Sequence, residues 1–226
     1  MTGLDAIIIT IYLLCVGTVF LRAFSSLIQA KFLIQLERAS LERQLHAQNL
    51  HNWVKINFKL ADRYELDELQ ELELSVENTS SERTIYIDWD SSSAIDPDGR
   101  AQRIVRLTPG TTFDVLSSQV FSAIAPGKTL KEKFTTESAL KRDPGIGTLK
   151  PVGGLVNLSK LKPDPKKKIS PSQKTLPTAR FSIRLGLRVG TGEARTSQNP
   201  FYILNCEFIA KQLPWTANLP WNQKKK

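Results

Sequence analysis

The side chains best equipped for chemistry in this chain are carboxylates. Asp88, Asp90, Asp96 and Asp98 follow the pattern D-x-D-x5-D-x-D-G. Clustered carboxylates and carbonyls at the edge of a β-sandwich are the kind of oxygen-rich ligand set that holds Ca²⁺. The spacing is not that of a helix-loop-helix calcium site, and Asp96-Pro97-Asp98-Gly99 reads more simply as a turn. The four are weak calcium candidates, and no metal site is assigned to them. His46 and His51 lie five residues apart on a predicted helix, about 140° around its axis. They do not form the i, i+4 pair that ligates a metal, and they read as solvated.

Nucleophilic catalysis has little material here. It needs a Ser or Cys beside a base with a third group to orient it, and no such set is visible. Cys15 sits in an apolar run and Cys206 in a predicted strand. They cannot meet, so no disulfide framework is expected. The expectation is a non-enzyme with no catalytic residues and no cofactor. Asn78-Thr79-Ser80 and Asn157-Leu158-Ser159 match the N-glycosylation triplet, a pattern common by chance.

The 226 residues carry a formal charge of +9, unevenly placed. Nine basic residues between Lys141 and Lys174 face only Asp143 and Asp164, and Lys224, Lys225 and Lys226 end the chain. From Asp62 to Asp98, twelve carboxylates face only Arg63 and Arg83. The basic charge therefore belongs to a loop and a tail. Lys166, Lys167 and Lys168 stand among prolines with no aromatic residue interleaved, so bases have no stacking platform and nucleic acid is not an expected partner. Anionic lipid or an acidic protein suits them better. The tail repeats Leu213-Pro214-Trp215 as Leu219-Pro220-Trp221. Tryptophan followed by lysine suits a membrane interface, a docking peptide, or a segment folded over the end of a sandwich.

These residues must be positioned by the elements around them. The run LDAIIITIYLLCVGTVFLRAF has no charge between Ala6 and Leu21. Counted from Ala6 to Ile28, with Arg22 reaching toward the headgroups, it makes a helix of about 34 Å, enough to span a bilayer. No A-x-A cleavage pattern follows it. The expectation is a retained single-pass anchor over 6–28 behind a short flank at 1–5. Arg22, Lys31, Arg38 and Arg43 follow the run and no basic residue precedes it. The N-terminus is therefore expected outside and the C-terminal domain in the cytosol.

Residues 29–52 lack proline and glycine and are rich in helix formers. They predict a helical stalk with Leu27, Ala30, Ile34, Leu41 and Leu45 on one stripe, a possible homodimer seam. Glu37 and Gln48 interrupt its heptad. From Trp53 the period becomes two. Val54, Ile56 and Phe58 alternate with polar residues. Leu72, Leu74 and Val76 do so too, and after a turn Ile85, Ile87 and Trp89 alternate back as a hairpin-like pair. Seven or eight short strands follow over 53–212, interrupted by a flexible basic loop at 141–178, with a tail at 213–226.

The segment LELSVENTSSERTIYIDW resembles the B–C region of immunoglobulin-like domains, without their paired cysteines. The resemblance implies a mainly β fold, an antiparallel β-sandwich, and carries no functional residue across. The resulting expectation is a membrane-anchored, non-enzymatic scaffold or assembly subunit beside a membrane complex, contacting lipid and an unidentified protein. An anionic-lipid module, with or without Ca²⁺, and an envelope-facing transport or enzyme accessory are the alternatives.

Overall fold

The computed structural model describes residues 3–28, 31–65, 69–108, 118–145, 148–158, 161, 177–190 and 199–214. The first element is a helix, α1 (Gly3–Ile28). Its side chains are described from 7 to 20, and those of Ile7, Leu13, Val19 and Phe20 are exposed. Among the described residues no helix is long and apolar enough to cross a membrane. The expected anchor bounded by Ala6, Leu21, Arg22 and Ile28 is overturned. The outward N-terminus and cytosolic domain inferred from it fall with it.

The helical stalk is also corrected. Phe32–Leu36 is a strand, β1, and among the described residues of 29–52 only Arg38–Ala47 is helical, as α2. Phe-Leu-Ile-Gln-Leu alternates in burial, with Phe32 and Ile34 in the core, as a half-buried strand requires. Glu37 leaves helical geometry at φ −75°, ψ 78° and starts α2. Leu41 and Leu45, one turn apart, remain on a common face and are buried. Of the stripe assigned to a dimer seam, Ile34, Leu41 and Leu45 are buried in the core, while Ala30 and the side chain of Leu27 lie outside the described residues.

The remaining strands are β2 (Val54–Lys59), β3 (Leu72–Asn78), β4 (Thr84–Ile95), β5 (Ala101–Leu107), β6 (Ser122–Ile124), β7 (Thr129–Thr136), β8 (Leu140–Arg142), β9 (Leu149–Pro151), β10 (Thr178–Gly190) and β11 (Phe201–Gln212). Together with β1, eight of them form a nine-stranded antiparallel sheet in the order β1-β11-β10-β4-β5-β7-β3-β2, with β6 beside β4. Strand β5 changes partner midway. Ala101–Arg103 pair with β4, and Ile104–Leu107 pair with β7. The sheet thereby turns back on itself, barrel-like and consistent with a β-sandwich. Strands β3 and β4 do not pair as the expected hairpin. β3 lies between β2 and β7, while β4 lies beside β10.

Inside, Trp89 and Phe134 pack at 6.1 Å between ring centroids. Phe208 stacks on Phe181 at 4.9 Å and meets Phe58 edge-on at 5.0 Å. The last contact ties β2, at one end of the strand order, to β11, near the other. Part of the segment expected as a flexible loop is built into the domain. β8 and β9 form a hairpin there, and Leu155, Val156, Leu158 and Leu161 enter the core. The Leu155 N–H donates to the Leu69 carbonyl at 2.7 Å, and Thr136 Oγ1 donates to the Leu155 carbonyl at 3.0 Å.

An exposed strand edge leaves a row of backbone groups unpaired. β1 covers β11 only from Gln212 to Phe208, and α2 covers the next stretch. The Glu37 N–H donates to the Glu207 carbonyl at 2.8 Å. Gln44 Nε2 donates to the Asn205 carbonyl at 2.9 Å, and Gln44 Oε1 accepts the Asn205 N–H at 2.8 Å. Gln48 Nε2 donates to the Ile203 carbonyl at 2.9 Å. One helical turn rises about 5.4 Å and two strand residues rise about 6.7 Å. Glutamines four apart on a helix therefore reach strand residues two apart. Glu37 and Gln48, which interrupt the heptad, help to cap the sheet.

Removing the Gln44 amide leaves the Asn205 N–H and carbonyl unpaired at a partly buried edge. Gln44→Ala is expected to lower stability by about 2 kcal/mol in urea unfolding. Gln44→Glu is expected to lower it more, because a carboxylate faces the Asn205 carbonyl. Cys206 is buried and Cys15 exposed, and burial pushes the Cys206 thiol up to about 12 from 9.0. A thiol reagent at pH 8 is expected to label Cys15 at once and Cys206 only after denaturation. Because the unfolded thiol ionises first, this contribution to stability is present below pH 9 and is lost as pH rises toward 12.

Candidate functional site

The four aspartates do not converge. Asp88 is buried, and its Oδ2 accepts from Arg188 Nε at 3.3 Å and Nη2 at 3.2 Å, while Oδ1 accepts the Ser91 N–H at 3.0 Å. The Arg188 guanidinium lies 4.8 Å from the Phe201 ring centroid and 5.6 Å from that of Phe121. Asp90 is paired with Arg103 at 2.6 Å and accepts the Gln119 N–H at 2.9 Å. Burial raises the Asp90 pKa, but the Arg103 and Gln119 hydrogen bonds and the Arg103 charge outweigh it and hold the carboxyl below its ordinary value. Asp96 Oδ1 accepts the N–H groups of Asp98 and Arg100 at 2.9 and 2.8 Å and organises the β4–β5 turn, where Gly99 takes φ +80°. Among the described residues no group of three or more His, Cys, Asp and Glu side chains is placed to hold a metal ion.

The Asp88 pair fixes an irregularity in the sheet. The β4–β10 register jumps between Arg184 and Gly186. Ser92 Oγ donates to the Asp88 carbonyl at 2.6 Å and accepts the Gly186 N–H at 3.0 Å. A Cβ at Gly186 would stand 3.0 Å from the Phe201 ring, so any larger residue there would push that ring aside by a few tenths of an ångström. Next to this, Ser122 Oγ accepts from Trp89 Nε1 at 2.8 Å and Arg106 Nη1 at 2.9 Å, and donates to Glu132 Oε2 at 2.8 Å. One donor and two lone pairs are all a hydroxyl has. Ser122 is thus fully used in holding strands together and is not poised as a nucleophile.

Asn78 is buried, and its amide donates to the Arg83 and Ile124 carbonyls at 2.7 and 2.9 Å. Its Oδ1 accepts the Ser80 N–H at 3.0 Å. This triplet organises a turn and has no exposed amide for a glycan. Asn157 is exposed, but Ser159 lies outside the described residues. So do Lys166, Lys167, Lys168, Trp215, Trp221, Lys224, Lys225 and Lys226.

The histidines come together in a way their spacing on one helix did not allow. α2 ends at Ala47, and Asn49 takes a left-handed φ of 56°. The Leu50 N–H donates to the Leu45 carbonyl at 2.8 Å and the Asn49 N–H to the His46 carbonyl at 3.1 Å. This is a Schellman ending, and Leu45 and Leu50, the two residues that such an ending brings together, are both buried in the core. The chain reverses, and the His51 ring stacks on His46 at 4.1 Å and 19°. Asn49 was the available signal, since Asn is one of the few residues that accept that conformation.

The reversal also builds a groove of about 390 Å³ between α2 and β2. Leu36, Leu41, Leu45, Val54 and Ile56 make its apolar floor, and Arg38, Glu42, the two histidines and Lys55 surround it. The groove is the open part of the seam between the ends of the strand order. At one end of the seam, Phe32 and Tyr64 exchange backbone hydrogen bonds at 2.8 and 2.9 Å. Beyond Leu36 the chain turns into α2 and leaves β2.

Among the described residues, that leaves β2 with β3 as its sole strand neighbour. The Thr79 N–H donates to the Trp53 carbonyl at 2.9 Å, which sets the phase of the ladder. Antiparallel pairs alternate, so Val54, Ile56 and Phe58 turn their N–H and C=O groups away from β3. The Val54 N–H returns to the Leu50 carbonyl at 3.0 Å. The backbone groups of Ile56 and Phe58 face the open seam, with no partner among the described residues. A concave apolar floor beside unpaired backbone groups suits the binding of a polypeptide.

The Asp88–Arg188 pair supports one side of this sheet from within. Arg188→Ala leaves a buried carboxylate without its cation and is expected to cost about 3 kcal/mol in urea unfolding. Adding Asp88→Asn is expected to recover part of that loss.

Compared with known proteins, the chain matches no family model, no curated protein sequence and no solved structure.

Proposed function

We propose that this chain is a non-enzymatic protein-interaction module, acting as a scaffold or assembly subunit, and that the open seam between α2 and β2 is its contact surface. The observation that carries the reading is the edge of β2, where Ile56 and Phe58 present backbone groups beside the apolar groove. Protein edges of this kind are ordinarily covered or blunted. Here α2 covers the neighbouring edge of β11 with glutamine amides and leaves β2 open, which fits a surface kept for a partner.

The immunoglobulin-like kinship belongs to the same proposal. The chain passes from β3 to β4 between different neighbourhoods of the sheet, and Trp89 is fully buried on β4. Both features suit the B–C region of such a domain. The proposal rests on the seam and not on this kinship, because the fold serves many functions.

A photo-crosslinker placed at the exposed Asn57 tests the reading in the cells that make the protein. One protein captured in stoichiometric yield from Asn57, and not from a crosslinker at Lys131 on β7, is the expected result. Equal or absent capture at both positions would sink it.

A further inference from the structure

The outer face of the sheet says what kind of segment the seam would take, on the reading that the seam is an interaction surface. Three neighbouring strands present their polar faces in register. On β7, Lys133 stands opposite Glu73 of β3, and Lys131 stands opposite Ser75. On β3, Glu73 stands opposite Lys59 of β2, Ser75 opposite Asn57, and Glu77 opposite Lys55. The charges alternate strand by strand. Lys133 is ion-paired with Glu71, Lys59 with Glu73 at 3.4 Å, and Lys55 with Glu77 at 3.6 Å. The columns end on β2 with two exposed lysines four residues apart, at the edge where Ile56 and Phe58 leave their backbone groups unpaired.

A strand laid along β2 continues this pattern only with acidic residues beside Lys55 and Lys59, since opposite charges across strands attract and like charges repel. Its alternate side chains, which point to the other face, would lie over Leu41, Leu45, Val54 and Ile56, and so must be apolar. A second copy of this chain fits badly. Antiparallel pairing of β2 with itself about Asn57 sets Lys55 of one copy against Lys59 of the other, a placement that blunts self-association.

We propose that the seam binds an extended acidic segment of a partner protein, of the form acid–apolar–any–apolar–acid, which adds to β2 as a further strand. The N–H and C=O groups of Ile56 and Phe58 would bond its backbone. Lys55 and Lys59 would select its two acids. The groove between α2 and β2 would receive the two apolar side chains.

The test uses the full chain and two synthetic probes built on one sequence, an acetylated and amidated Glu-Val-Ser-Val-Glu peptide and its Lys-Val-Ser-Val-Lys counterpart, each flanked by Gly-Ser. The glutamate peptide is expected to bind at least tenfold more tightly and to slow hydrogen exchange at the Ile56 and Phe58 amides. In the double variant Lys55→Glu, Lys59→Glu, whose exposed positions leave the core untouched, the preference between the peptides is expected to reverse. Equal binding of the two peptides, no binding of either at millimolar concentration, or unchanged exchange at both amides overturns the proposal. Sedimentation showing a dimer that the double variant abolishes would overturn it in favour of self-association. If strand addition fails while the crosslinker at Asn57 still captures one partner, the interaction reading stands without it. If the crosslinker captures none, the interaction reading fails first.

Discussion

Everything in this domain follows from the need to satisfy the backbone groups at the seam of a sheet that folds round on itself. β1 is five residues long and β11 is twelve. The excess length of β11 would expose a row of carbonyls and amides, each costly to leave unpaired where water is scarce. The protein answers with side chains instead of a strand. Gln44 copies a peptide group and engages both the N–H and the C=O of Asn205, and Gln48 and the Glu37 backbone take the carbonyls on either side. To place those amides, α2 must lie along β11, and its apolar pair Leu41 and Leu45 must then fill the top of the core. The same placement draws the chain away from β2. The groove and the open edge are thus geometric results of the cap.

The turn of the sheet is accommodated at two places with different solutions. β5 passes from one neighbour to the other between Arg103 and Ile104. Gln119 steadies that change, since its amide donates to the Ile104 carbonyl at 2.7 Å and accepts the Arg106 N–H at 2.7 Å. Between β4 and β10 the register itself jumps, and Asp88, Ser92 and Arg188 supply the bonds that a regular ladder would have made. A buried ion pair adds little net stability but makes alternative registers costly. That suits a position where the two long strands of the sheet would otherwise slide.

Much of this was legible because burial on one side of a strand writes a period of two into the sequence. Ile85, Ile87 and Trp89, and Phe181, Ile183 and Leu185, alternate as the strands that carry them do. What was not legible came from competition between local and distant partners. Residues 32–36 contain nothing that forbids a helix, and they became a strand because β11, at the other end of the domain, offered an edge. Glu37 and Gln48 looked like defects in a heptad because their partners are carbonyls in β11. The buried leucines beyond β9 were hidden in a segment whose proline, glycine and lysine content dominates its average. The seam itself has no motif. Its polar groups are backbone, and a sequence does not record which strand is left at an edge.

The pairing of β1 with β11 has a consequence for the newborn chain. Phe32 and Gln212 are register partners, so the first strand of the sheet can be completed only by the last. At about 5–20 residues per second, synthesis of the stretch between them takes roughly 9 to 36 seconds. For that interval α2 has no β11 to cap, and Leu41 and Leu45 have little to cover them. β2 and β3 can already pair, and β7 joins them some fifty residues later. Assembly therefore proceeds from the β2 end of the strand order toward β1, and the seam is the last thing made. A segment that bound β2 before β11 arrived would meet a wider opening than the finished protein offers. The order of synthesis thus gives such a segment an early, kinetic access to the edge of β2 that is distinct from its affinity for the completed fold.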